Sequence, residues 1–361
     1  MLNINKFSKS MAFFLIGILS LTLITGCDSP SITTAQTSEN LAPPAATTIA
    51  ESKENTLTVY SGRSEKLVGP IIDQFAKATG IDVQVKYAKT PQLAATILEE
   101  GTKSPADIFF AQDPGGLAAV DSLLMPMSEN TLNQVPEWAR STDNKWIGIS
   151  GRARTVVYNP NTTLEEELPD SMWGFVEPQW KGRIGWAPTN ASFQAMVTAM
   201  RAVWGEDGAR DWLTAIQANE PIVYPKNTPQ VAAVAAGEID VGFVNHYYLF
   251  RFLAEEGDDF AARNYHPRSG GPGSVIMVAG AGILQSSENK TNAAKFLDFM
   301  LSKVAQQYFA GQTYEYPLID GVKTSRILVP FDEINHPGLP LSSFADLEGT
   351  GDLLRETGIL P

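Results

Sequence analysis

The sequence predicts a two-lobed α/β protein built on largely parallel sheets. Two observations carry this: strands alternate with helices along the chain, which places a parallel sheet under helices, and roughly 300 residues follow Thr56, more than one hydrophobic core usually serves.

Residues 57–60 read as a short strand. Residues 65–79 then set Leu67, Val68, Ile71, Ile72, Phe75 and Ala76 at helical spacing, with Gly80 as the C-terminal cap. Pro70 falls early in that stretch and is expected to delay the helix start. Residues 81–87 return to strand alternation. Thr90 reads as an N-cap with Pro91 at the first helical position, opening a helix that ends at Gly101. Residues 107–110 form a third strand, and further strands are expected at 154–158, 222–224 and 239–244, separated by helices such as 193–204. Such sheets gather ligands beyond the carboxyl ends of their strands. The loops after Tyr60, Phe110, Trp186, Tyr224 and Val244 are therefore the candidate site loops.

Ahead of the folded part, residues 1–26 carry Lys6 and Lys9, no acidic residue, and an apolar run over 11–24. About fourteen apolar positions fall short of the ~20 a spanning helix needs, so this is a signal peptide. Ile24-Thr25-Gly26-Cys27 resembles the bacterial lipobox, which implies lipidation of Cys27 and an extracytoplasmic, membrane-anchored protein on the periplasmic side or cell surface. Cys27 is the chain's only cysteine, which excludes a disulfide within the monomer. Residues 27–55 are rich in Ser, Thr, Ala and Pro without apolar period and read as a disordered tether with a reach of ~30 Å. Losing Lys6 and Lys9 with the leader takes the formal charge from -13 to -15, which argues against nucleic acid or anionic lipid as a partner of the folded part.

After the last of the site loops stands Asn245-His246-Tyr247-Tyr248, ahead of an apolar helical stretch. Adjacent residues on an established helix point about 100° apart, so neighbouring tyrosines converge only at a helix start or bend. Phenolates are hard oxygen donors, and a trivalent cation lowers their pKa far below the free value of about 10. Ordinary packing is the other use of such a dipeptide. Asn190, Ala191 and Ser192 lie at the start of the helix that begins near Phe193, and Lys226-Asn227-Thr228-Pro229 opens another. Both are plausible anion cradles, and both also read as simple helix capping. Arg63, in Ser61-Gly62-Arg63-Ser64, and Arg152 and Arg154, in Ser150-Gly151-Arg152-Ala153-Arg154, either balance an anion or serve as ordinary charges.

Jointly, these segments resemble the ferric-ion-binding proteins of bacterial iron ABC transporters, within the two-lobed periplasmic-binding-protein fold (type II) with its ligand cleft between lobes. The segments are 57–63, 104–110, 150–154, 185–193 and 244–248, in family order. The resemblance implies that Tyr247 and Tyr248 are paired ligands of Fe(III) carried as cargo. It also implies that Asn190, Ala191, Ser192, Asn227 and Asn245 line a pocket for a synergistic anion such as carbonate, phosphate or a citrate-like chelator. The family's histidine falls at Ser64, its glutamate at Gln112 and a further tyrosine at Phe193. Tyr60 is then a candidate third oxygen, Asp113 a candidate carboxylate, and Arg63, Arg152 and Arg154 candidates to balance the anion.

On this reading lobe 1 covers about 56–151 and 265–312, lobe 2 about 152–264, and 313–361 form a shared tail. The protein is a monomer that delivers iron to an ABC permease, without covalent chemistry. The rivals are a metal-free receptor for an oxyanion or small organic solute, a receptor for an extracytoplasmic sensor, and an enzyme. The last has little to work with: three histidines, no free thiol after lipidation and no Gly-x-Ser-x-Gly element.

Overall fold

The computed structural model describes residues 55–361. The expected leader, the lipidated Cys27 and the tether through residue 54 lie outside the described residues. Asn55, expected to end the tether, is already tied down, its Nδ2 donating to Gly80 O at 2.6 Å.

The first elements follow the apolar pattern: β1 (Thr56–Ser61), α1 (Glu65–Thr79), β2 (Asp82–Tyr87), α2 (Thr90–Glu100), β3 (Ile108–Ala111), then the short helices α3 (Pro114–Ala119) and α4 (Glu129–Leu132). Pro70 does not delay α1. It sits inside a helix that starts at Glu65, close enough to the N-terminus that its missing N–H removes a single early bond. Thr90 is not the N-cap of α2 either: Lys89 holds that position, because the Thr90 hydroxyl is engaged in accepting from the Gln112 N–H at 2.9 Å.

A thirteen-residue strand, β4 (Trp146–Tyr158), follows, buried along its whole length. Beyond it come β5 (Ile184–Trp186), α5 (Ala191–Ala218), β6 (Ile222–Val223), α6 (Asn227–Ala236), β7 (Val241–Asn245), α7 (Tyr247–Glu256) and β8 (Arg263–Tyr265). The chain returns through β9 (Ile276–Ile283) and closes with α8 (Lys290–Met300), α9 (Lys303–Gln312) and α10 (Leu347–Glu356). Helix α5 breaks at Gly205, whose φ of 77° lies in the left-handed region.

The strand order is β2-β1-β3-β9-β4-β7-β5-β6, with β8 on β4. β1 pairs in parallel with β2 and β3, and β5 with β6 and β7. The centre differs from the expected largely parallel sheet: β4 and β9 run antiparallel to each other, and each also pairs antiparallel with its other neighbours. A strand carrying the chain out of one half of the sheet and a strand bringing it back must run against each other. β4 pairs β9 over its first residues and β7 and β8 over its last, with an irregularity between Gly148 and Ser150. The carbonyl of Ile149 at that break accepts from Gln306 Nε2 at 2.7 Å.

Separate apolar cores flank the two halves. Phe75 of α1 and Phe296 of α8 meet edge to face at 5.2 Å in the first, each large ring contributing ~2–3 kcal/mol by burial. Trp212 and Phe175 pack on Phe243 of β7 in the second. α10 is fastened to α5 of that half through Thr350 on Thr198 at 2.8 Å and Asp346 on Arg201 at 2.8 Å.

Candidate functional site

A cleft of about 690 Å³ opens between the carboxyl ends of β1 and β3 and those of β5, β6 and β7. All five expected loops contribute: Arg63 and Ser64, Gln112, Thr189 to Ala191, Lys226 and Thr228, and Tyr248. Lys89 adds a further cation to the lining, and Glu65 and Tyr87 complete the first wall.

Tyr247 and Tyr248 open α7 after the N-cap His246. Their rings stack with centroids 4.4 Å apart and 27° between planes, so both phenols point the same way, as the helix-start position predicts. Tyr247 is almost wholly buried and Tyr248 faces the cleft. Burial raises the Tyr248 phenol well above its ordinary value, and the Tyr247 phenol beside it raises it further, whereas Asn227 and Arg63 pull the other way. Without a cation the Tyr248 phenol keeps its proton. A multivalent cation would convert the pair to two phenolates.

Three guanidinium groups are buried here: Arg63, which lines the cleft, and Arg152 and Arg154, which do not. Arg152 and Arg154 stand two apart on β4 and therefore share a face. Arg154 donates to Asn245 Oδ1 at 3.0 Å but has no carboxylate partner among its hydrogen bonds, and its Nε and Nη2 are unpaired. Burial pushes it down to about 9, Arg152 adds to that, and the two tyrosines oppose it. Arg152 donates through Nη2 to the carbonyls of Gln112 and Val278, leaving Nε and Nη1 unpaired. Arg63 is ion-paired with Glu315 and keeps Nε and Nη1 unpaired. Buried donors without acceptors cost free energy, and six unpaired guanidinium nitrogens in one region mark a place that an anion can satisfy.

The helix starts converge as well. Asn190 caps α5, its Oδ1 accepting from the Ser192 N–H at 3.0 Å. Asn245 Nδ2 donates to Ser192 Oγ at 3.3 Å, tying the end of β7 to that cap. Asn227, the first residue of α6, is fully buried with its carboxamide against the Tyr248 phenol. On the opposite wall Thr90 organises the loops. An added Cβ at Gly62 would meet its Oγ1 at 2.1 Å and one at Gly116 its Cγ2 at 2.1 Å, so only glycine lets these turns close over it.

Of the expected positions, Tyr247, Ser192, Asn227, Asn245, Arg152 and Arg154 are buried and do not line the cleft surface, and Tyr60, Asp113 and Phe193 are engaged elsewhere. Burial, with the hydroxyl's 3.0 Å donation to Glu100, pushes Tyr60 up to about 12, and its side chain does not line the cleft. It is not a third oxygen of this site. Asp113 is buried as the N-cap of α3, accepting from the Gly116 N–H at 3.0 Å. Phe193 is wholly buried and meets Trp186 edge to face at 5.6 Å, one turn into α5 and inside the second core. Ser64 and Gln112 do line the cleft.

His246 is a structural residue. Its Nδ1 accepts from the Ala153 N–H at 3.1 Å and its Nε2 donates to Tyr314 O at 2.7 Å, while burial pushes it down to about 4. The sequence reading missed Glu315, Lys89, Glu65 and Tyr87. Glu315 sits in no motif, and its partner Arg63 lies 252 residues away in sequence. Among the described residues no group of three or more His, Cys, Asp or Glu is placed to hold a metal ion.

Against known proteins, residues 101–328 match the model of a family described as bacterial extracellular solute-binding protein. The major ferric iron-binding protein of Neisseria meningitidis is 35% identical over 87% of this chain and 96% of its own length. Iron-bound HitA from Pseudomonas aeruginosa superposes with a TM-score of 0.80 at 33% identity, covering 84% of this chain and 99% of that one. A Trichodesmium protein (IdiA, FutA), solved in complex with iron and citrate ligands, gives a TM-score of 0.74 at 30% identity over 84% of this chain and 99% of its own.

Proposed function

This chain belongs to the bacterial extracellular solute-binding protein family, and from that premise we propose that it captures ferric iron together with an anion and hands it to an ABC permease. The observation that carries the reading is the stacked Tyr247–Tyr248 pair at a helix start, together with unpaired buried guanidinium groups. Relatives and structural neighbours named for ferric iron, one of them solved with iron and citrate, support it.

Charge balance gives the anion its role. Ferric iron brings three positive charges and two tyrosinates return two, while Arg152 and Arg154, neither of them hydrogen-bonded to a carboxylate, add two more. A buried surplus of this kind is costly unless a counter-charge enters with the metal. Carbonate, phosphate or a citrate-like chelator fits the unpaired nitrogens of Arg63, Arg152 and Arg154 and the helix starts at Asn190 and Asn227. Lys89 and Lys226 make the cleft locally basic in a chain of net charge -13, which favours entry of anionic ferric chelates. A ligand touching both walls stabilises the closed arrangement by its differential affinity, and that arrangement is what a permease recognises.

Lipidation of Cys27 and the following tether complete the reading: a monomeric receptor held within reach of a membrane permease on the outer side of the cytoplasmic membrane. The functional test is metal analysis of the purified protein after exposure to ferric iron and bicarbonate. One iron per chain with a red tyrosinate-to-iron absorbance is the expected result. Tight binding of phosphate or a carboxylate with no uptake of iron would favour the metal-free receptor instead.

A further inference from the structure

Glu315 lies just after α9, in a segment that touches both halves of the protein where the chain crosses between them. Both members of the Arg63–Glu315 pair are completely buried. One carboxylate oxygen accepts from Arg63 Nη2 and the other from Ser150 Oγ of β4. Next to it, Tyr316 exchanges backbone hydrogen bonds of 2.7 and 2.9 Å with Gly151. Tyr314, on the other side, has a φ of 57°, a left-handed backbone uncommon for tyrosine, and its carbonyl accepts from His246 immediately before the tyrosine pair. Glu315 is thus fixed from several directions and holds Arg63 with its Nε and Nη1 free while Arg63 lines the cleft.

An arginine at the cleft that is already cancelled by a fixed carboxylate contributes direction but little net charge. Arg154, lacking such a partner, contributes both. We propose that Glu315 is a positioning and charge-balancing residue that sets which anion accompanies the iron: with Arg63 cancelled, a small dianion of carbonate type suffices, and a more highly charged chelator of citrate type gains no added preference. The proposal rests on the ferric reading above and deepens it.

The test uses the full chain and the variants Glu315→Gln, Arg63→Gln and the double variant, each titrated with ferric iron in bicarbonate and in citrate and followed by visible absorbance. Glu315→Gln leaves one uncancelled positive charge, so the ratio of citrate-supported to bicarbonate-supported affinity is expected to rise about tenfold. Arg63→Gln leaves one uncancelled negative charge and is expected to lower the ratio by a similar factor. The double variant removes both charges, the substitution that a buried pair tolerates best, and is expected to return the ratio to within about threefold of wild type. A Glu315→Gln protein that loses both affinities by the same factor shows a mere structural brace and overturns the proposal. Should Glu315→Gln not fold, Arg63→Gln against the double variant decides, and equal ratios in those two overturn it. A wild-type protein that takes up no iron with either anion overturns the ferric reading and the proposal together, whereas a coloured wild type with an unmoved ratio in the variants overturns the proposal alone.

Discussion

The two walls of the cleft are built differently. The wall from β5, β6 and β7 brings a stacked pair of phenols and the starts of α5 and α6, the first capped by Asn190 and tied to the end of β7 through Asn245. The wall from β1 and β3 brings Arg63, Lys89, Ser64 and Gln112, together with Glu65 and Tyr87 at the base of α1. Burial and the neighbouring Glu65 and Asp73 push Tyr87 up to about 12, so its phenol is kept protonated. The lesson is one of complement: one wall offers phenols and helix starts, the other Arg63 and Lys89, and the proposed cargo of metal plus anion would join them.

The sharpest way to break this comparison is to remove the donors from one wall. Exchanging Tyr247 and Tyr248 together for Phe deletes both proposed ligands, and ferric affinity is expected to fall by about a thousandfold or more with loss of the visible band. Affinity within about twofold of wild type in an equilibrium titration would show that the metal sits elsewhere.

Removing buried charge should cost less. Arg154→Met keeps the bulk of the side chain and deletes a buried guanidinium that, like Arg152, hydrogen-bonds no carboxylate. Anion-supported iron affinity is expected to drop about 10- to 100-fold, with little change in the position of the tyrosinate band. An unchanged dependence on bicarbonate concentration would assign the anion to other residues.

The third prediction concerns stability rather than cargo. His266 is pushed down to about 3 by burial, with the His246 charge adding to it and a backbone hydrogen bond opposing it. Its folded value lies below the unfolded one of ~6.5, so on acidification the unfolded chain takes up the proton first. The stability contribution is therefore whole above pH 6.5 and is lost as pH falls toward 3, at up to about 1.4 kcal/mol per pH unit. Thermal melts of His266→Gln are expected to show a shallower decline over that window than wild type. Parallel declines would place the acid sensitivity elsewhere.

The smallest effect tests the tyrosine excluded from the site. Tyr60→Phe is expected to cost ~1 kcal/mol of stability through the lost bond to Glu100 and to leave iron affinity within about threefold. A tenfold loss of affinity at unchanged stability would return Tyr60 to the cleft.

Much of this architecture was legible because local chemistry spoke for it. The end of α1 at Gly80, the caps at Asn190 and Gly237 and the convergence of Tyr247 and Tyr248 at a helix start all follow from short-range rules. What escaped were features decided by distant parts of the chain. β9 and the first half of β4 are glycine-containing strands buried on both faces, so neither shows an alternating pattern. Their antiparallel pairing joins segments more than a hundred residues apart. Tyr60, Asp113 and Phe193 were placed in the right loops but aimed wrongly, because a bond to Glu100, an N-cap and a helix turn set their directions. Glu315 is brought to Arg63 across 252 residues of chain, and no local motif announces it.

The most direct measurement of the central claim is the visible spectrum of the iron-loaded protein, titrated with bicarbonate and then with citrate after exhaustive removal of both. A tyrosinate-to-iron band that strengthens or shifts with each anion, and iron affinity that rises with anion concentration until saturation, is the predicted result. A full-strength band and an affinity indifferent to every anion would contradict it.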